Sequence, residues 1–267
     1  MVRGLNRVKA ALRTIKRTIG RKEPRYTTTN MVFVHMPKCG GSSLHGALTT
    51  CFHPQRIVRM SASGTMEAAK WLNRGFAELR RELLVVELVQ SGGGRLLSGH
   101  WTVDDRVCQE FCQRYQFVTL LREPVERWFS QYFYNRYKTK TDHCRIVQSL
   151  DQFIGTAKAS DQGNMYVRHL TAGTDAAPDD ADAACRTLDY FSHVGLLEHV
   201  DAFVATLGKM FGRPLELGQT NVNPHPQEER AELMRQYRSE VEQLCQPDIA
   251  VYQYAIKRLE KERCAGL

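Results

Sequence analysis

Residues 31–43 read Met-Val-Phe-Val-His-Met-Pro-Lys-Cys-Gly-Gly-Ser-Ser, an apolar run that breaks at a proline and then meets two glycines and two hydroxyls. The run 31–36 is rich in β-formers and fits a buried parallel strand, which Pro37 ends. Gly40 and Gly41 let the backbone approach an anion closely, and Ser42 or Ser43 can cap a helix that starts there. The N-terminus of such a helix offers unpaired N–H groups and the positive end of a dipole, so a phosphate is a natural guest. Lys38 adds a mobile point charge beside it. Taken alone, the stretch also suits an ordinary strand-to-helix turn. It departs from the nucleotide triphosphatase cradle G-x-x-x-x-G-K-S/T, because Lys38 precedes the glycines.

A second stretch, residues 116–134, reads Gln-Phe-Val-Thr-Leu-Leu-Arg-Glu-Pro-Val-Glu-Arg-Trp-Phe-Ser-Gln-Tyr-Phe-Tyr. It predicts a strand over 117–121, a turn at Arg122 and Glu123, and a helix from Pro124. Proline suits a first helical position, and Glu126 falls in the first turn, where the dipole favours it. Arg122 then lies at a strand's C-terminal end, where open α/β sheets bind ligands. Ser130, about two turns along the helix, lies on a different face from Val125 and Phe129, so its hydroxyl can face the same ligand.

Together, the segments 37–43 and 121–130 resemble the two cofactor signatures of sulfotransferases that use 3′-phosphoadenosine 5′-phosphosulfate (PAPS). The sequence is most similar to the carbohydrate branch that includes the heparan sulfate 2-O-sulfotransferases and their bacterial relatives. The resemblance implies that Pro37, Lys38, Cys39, Gly40, Gly41, Ser42 and Ser43 hold the 5′-phosphosulfate, while Arg122 and Ser130 hold the 3′-phosphate. Cys39 stands where threonine is frequent, and no residue indicates how adenine is clasped. Further likeness spans most of residues 31–225: Ser98-Gly99-His100, Asn164-Met165-Tyr166-Val167-Arg168-His169-Leu170, and the Val-Gly-Leu-Leu-Glu segment ending at Glu198. The expected fold is a single α/β domain over 30–267, with a central, mostly parallel sheet flanked by helices, related to the P-loop nucleotide-kinase architecture.

Sulfuryl transfer to a hydroxyl needs a base for the acceptor's proton, and histidine titrates near the working pH. His100, expected at the end of a strand over 95–98, is assigned that role, with Lys38 stabilising the leaving group. Trp101 is placed on the substrate side, and the resemblance implies a cofactor or substrate contact for Arg168, which fits a surface or ion-paired arginine equally well. His225 is a minor catalytic candidate, and His35 reads as core or as support for the site. The expected products are adenosine 3′,5′-bisphosphate and a sulfate ester, with no metal required; the resemblance implies a carbohydrate or glycolipid hydroxyl as acceptor, with a small alcohol or phenol as the alternative.

With 267 residues, a net charge of +8 and 25% charged residues, the chain reads as a globular protein with anionic partners. Its motif-bearing cations sit at discrete strand ends, and no nucleic-acid-binding signature accompanies them. The 8 cysteines include no C-x-x-C pair, which favours reduced, mostly buried thiols over a disulfide framework or a zinc site. Residues 1–20 place Leu5, Val8, Leu12, Ile15 and Ile19 at helical spacing among basic residues. A basic amphipathic helix is expected there, with a linker to residue 29 and the option of peripheral membrane contact. Neither a secretory segment nor a membrane span is visible, and a cytoplasmic location is expected. Two rival readings are an atypical small-molecule kinase and a non-enzymatic basic scaffold for anionic polymers or membrane.

Elsewhere, the pattern predicts helices over 64–81, 103–115, 124–138, 149–157, 162–170, 181–189 and 200–211. Strands are expected over 83–89 and 192–196, and two helices over 227–262, split at Pro247. The basic loop at 138–145 is assigned weakly to the acceptor site, and the aromatic row from Trp128 to Tyr137 mostly to the core.

Overall fold

The computed structural model describes residues 26–90, 92–138, 144–171, 180–218 and 227–264. The readings made for residues 1–20, for most of the loop at 138–145, and for His225 lie outside the described residues.

In chain order the elements are β1 (Met31–Val34), α1 (Gly41–Thr49), β2 (Ile57–Arg59), α2 (Ala62–Trp71), α3 (Phe76–Leu88), β3 (Leu96–Gly99), α4 (Asp105–Phe111) and β4 (Gln116–Leu121). There follow α5 (Pro124–Tyr137), α6 (Leu150–Ile154), α7 (Ala157–Gly163), α8 (Met165–Leu170), α9 (Ala181–Leu188), β5 (His193–Leu196), α10 (Val200–Phe211), α11 (Gln227–Leu244) and α12 (Gln246–Cys264). The strands form one sheet in the order β2-β3-β1-β4-β5, and every pairing is parallel.

The continuous apolar runs follow from burial of both faces. Met31 and Phe33 of β1 join Leu44 and Leu48 of α1 and Phe203 and Leu207 of α10 in one cluster. Val32 and Val34 point the other way and pack with Leu84 and Leu88 of α3 and with Val251 and Ala255 of α12. A third cluster, around Trp128, Phe129 and Phe133 of α5, is closed by Phe153, Val241 and Cys245. Among the described residues, no helix is long and apolar enough to cross a membrane.

Two expectations are corrected. The single helix over 64–81 is broken by Asn73, which takes a positive φ of 48°, and Gly75 then starts α3. The β-branched run 83–89, expected as a strand, belongs mainly to α3. There Leu79, Leu84 and Leu88 are buried, and Glu87 pairs with Arg95 at 2.5 Å. Packing of a helical stripe outweighs the weak local preference of Val85 and Val86 for extended backbone. The helix expected over 162–170 is also interrupted at Asn164, which separates α7 from α8.

Candidate active site

Because β1 lies between β3 and β4, the turns that follow these three strands share one edge of the sheet. That edge is where strand order reverses and where open α/β sheets bind ligands. The β1 turn carries Lys38, the β4 turn carries Arg122, and His100 follows β3.

The β1 turn is held in an unusual conformation. Lys38 has φ 65° and Gly40 has φ 73°; the first costs about 1–2 kcal/mol in a residue with a side chain. Gly40 is the N-cap of α1 without a side-chain cap, so the first amides of that helix are offered to a ligand. Gly41 has a separate reason to be glycine: a Cβ there would lie 1.9 Å from His35 Cδ2. Gly41→Ala is therefore expected to displace the His35 ring, costing about 1–3 kcal/mol. Thermal denaturation should show the loss, and Gly46→Ala, where a Cβ meets nothing within 4 Å, serves as the control.

The Lys38 ammonium lies 3.7 Å from the centroid of the Tyr134 ring, a cation–π contact. Burial, and then the nearby guanidiniums of Arg122 and Arg230, lower the Lys38 pKa to about 8. Arg230 comes from α11, and its own pKa is lowered by burial and by Arg122. Three cations thus converge where like charges repel, and the carboxylate paired with them among the described residues is Glu126, 3.5 Å from Arg122. Glu126, Ser130 and Tyr134 recur at four-residue spacing on one face of α5. Ser130, half-buried, accordingly sits between the Arg122–Glu126 pair and the ring that carries Lys38.

The β4 turn is pinned on three sides. Glu123 caps α5 by accepting hydrogen bonds from the amides of Val125 and Glu126. Its own N–H donates to Glu198 Oε1 at 2.9 Å, and Tyr252 donates its hydroxyl to Glu198 Oε2. The Tyr166 hydroxyl accepts from Arg122 N–H at 2.9 Å and donates to Arg122 C=O at 2.6 Å.

His100 stacks on His35, with ring centroids 4.4 Å apart, and its Nδ1 lies 2.6 Å from the His35 carbonyl. A carbonyl can only accept, so Nδ1 carries the proton and Nε2 presents a lone pair. Burial lowers the His100 pKa below 6.5, and the fields of Arg80 and Arg59 add to the effect. His35, more deeply buried, is lowered to about 3, and His169, whose ring centroid lies 6.5 Å from that of His100, is lowered as well, mainly by burial. Arg59 ends β2 opposite Ser98, and Arg80 Nε is buried with no hydrogen-bond partner among the described residues.

Trp101 is only 2% exposed and belongs to the core, so its ring presents no open face to an acceptor. Arg168 is exposed and pairs with Asp161, the surface arrangement left open above. Cys39 is buried, with its pKa raised to about 11, mainly by desolvation, and so stays a thiol. Tyr166 and Arg230 escaped sequence reasoning: a tyrosine inside an apolar helix and an arginine in a charged one carry no local signal of the contacts they make. Among the described residues no group of three His, Cys, Asp or Glu side chains could hold a metal ion.

Fold and site together define an all-parallel α/β protein in which Lys38, Arg122 and Arg230 converge at one edge of the sheet. No family model matches the chain, and no curated protein matches it. Among solved structures, a sulfotransferase from Alicyclobacillus acidocaldarius aligns at 19% identity over 82% of this chain and 96% of that one, with a TM-score of 0.41. Mouse sulfotransferase SULT7A1 complexed with PAP aligns at 12% identity over 84% and 71%, with a TM-score of 0.38. A structure from the PezAT toxin-antitoxin system of Streptococcus pneumoniae aligns at 13% identity over 87% and 95%, with a TM-score of 0.34. Similarity at this level assigns neither a family nor an activity.

Proposed function

We propose that this chain is a PAPS-dependent sulfotransferase acting on a carbohydrate or glycolipid hydroxyl. The observation that carries the reading is the convergence of Lys38, Arg122 and Arg230 at one sheet edge, with one paired carboxylate among the described residues, beside a base-competent His100. The residues fit a nucleotide with an anionic group at each end. Gly40 and the uncapped start of α1 form a cradle at one end, and Arg122 with Ser130 supplies donors at the other.

When bound, PAPS supplies an activated sulfuryl group with an anionic leaving phosphate. Lys38 and the α1 amides stabilise charge on the 5′ side, and Arg122 with Ser130 recognises the 3′-phosphate. His100 Nε2 accepts the proton of the acceptor hydroxyl, and the His35 carbonyl holds the ring in the required tautomer. Arg59 and Arg80, whose fields reach His100, favour an acceptor with negative charge near the reacting hydroxyl, which suits an acidic glycan.

Adenosine 3′,5′-bisphosphate is expected to raise the melting temperature by several degrees, and adenosine 5′-monophosphate much less. Equal shifts would count against the roles given to Arg122 and Ser130. Labelled PAPS incubated with a panel of neutral and acidic glycans, with and without EDTA, tests the reaction. Transfer that persists in EDTA separates this reading from a magnesium-dependent kinase.

A further inference from the structure

The cradle after β1 and the turn after β4 belong to different strands, and one side chain touches both. Tyr166, fully buried on α8, places its hydroxyl 3.4 Å from Cys39 Sγ in the first turn and within hydrogen-bond distance of both backbone groups of Arg122 in the second. The phenol donates to the Arg122 carbonyl and accepts from the Arg122 amide, and the Cys39 thiol, which also lies 3.5 Å from the Pro37 carbonyl, shares its one proton between that carbonyl and the phenol oxygen. Burial raises the pKa of the phenol and that of the thiol, so both keep the protons these contacts use.

The phenol is itself anchored. Asp248 Oδ1, on α12, accepts the amides of Tyr166 at 2.8 Å and Val167 at 3.1 Å. Its carboxylate lies 3.7 Å from the guanidinium of Arg127, and both side chains are fully buried. Arg127 also donates to the Gln162 carbonyl and to Gln131.

Resting on the cofactor reading above, we propose that Tyr166 is a positioning residue that sets the spacing between the cradle and Arg122, so that the two phosphate sites engage one nucleotide together. An isolated packing role would leave the relative affinity for different nucleotides unchanged. A spacing role would not, because only a ligand anchored at both ends senses the distance between them.

The test compares Kd for adenosine 3′,5′-bisphosphate and adenosine 5′-monophosphate well below the melting transition. Tyr166→Phe keeps the ring and removes both contacts to Arg122 and the one to Cys39. It is expected to weaken bisphosphate binding about tenfold or more, while changing monophosphate binding by less than about threefold. Cys39→Ala, which frees only the cradle side, should lower the same ratio less, and Cys39→Ser should restore it in part. A folded Tyr166→Phe protein with the wild-type affinity ratio overturns the proposal. If that variant does not fold, an unchanged ratio in Cys39→Ala overturns it instead. Wild-type protein that does not distinguish the two nucleotides overturns the cofactor reading, and this proposal with it.

Discussion

Replacing His100 with alanine should cut turnover by about two to four orders of magnitude while leaving the affinity for adenosine 3′,5′-bisphosphate nearly unchanged. The separation follows from placement, since His100 follows β3, whereas the cations assigned to the nucleotide follow β1 and β4. Because its pKa lies below 6.5, the ring is neutral at pH 7, and the acid limb of kcat/KM should fall below that value. His100→Gln keeps a hydrogen-bonding side chain without a base of comparable strength, so it should remain impaired. Isothermal titration with the bisphosphate, alongside initial rates, checks both halves; a fully active alanine variant removes His100 from this role.

The second large effect concerns Lys38. Replacement with methionine should lower turnover by about two to three orders of magnitude, the range for losing one group that stabilises charge in the transition state. The pH dependence has a definite sign. In the free protein the ammonium is held at about 8 against an ordinary 10.5, so its charge disfavours folding below pH 8, and that cost fades between pH 8 and 10.5. An anionic ligand reverses the shift, so nucleotide binding above pH 8 should take up a proton and weaken as pH rises. Calorimetry in buffers of different ionisation enthalpy measures the uptake, which Lys38→Met should abolish. Lys38→Gly carries a further signature: with φ 65° at this position, glycine relieves backbone strain. That variant should be no less stable than the wild type and nearly inactive.

The turns that carry Lys38 and Arg122 were legible because their signals are local. A proline, two glycines and a lysine after an apolar run announce the turn whatever surrounds it, and the arginine before Glu123 and Pro124 does the same for β4. The parallel sheet followed from runs such as 31–34 and 117–121, which are too apolar for one solvated face. What could not be read depends on partners distant in sequence. The stretch 83–89 is helical because Leu84 and Leu88 meet β1 and β3, and because Glu87 meets Arg95, none of which the run itself encodes. Tyr166 looks like one more core ring until the fold brings Cys39 and Arg122 to its hydroxyl. Trp101, next to His100 in the chain, seemed well placed for a sugar, yet the backbone turns its indole inward.

The carboxylate that braces α8 and the phenol that steadies Glu198 both come from α12, the last described helix. On a translating ribosome, the loops around Lys38 and Arg122 therefore emerge well before their scaffolding does. Nascent chains halted upstream of residue 246 should fail to retain the bisphosphate. Ligand capture would then report that synthesis has reached α12.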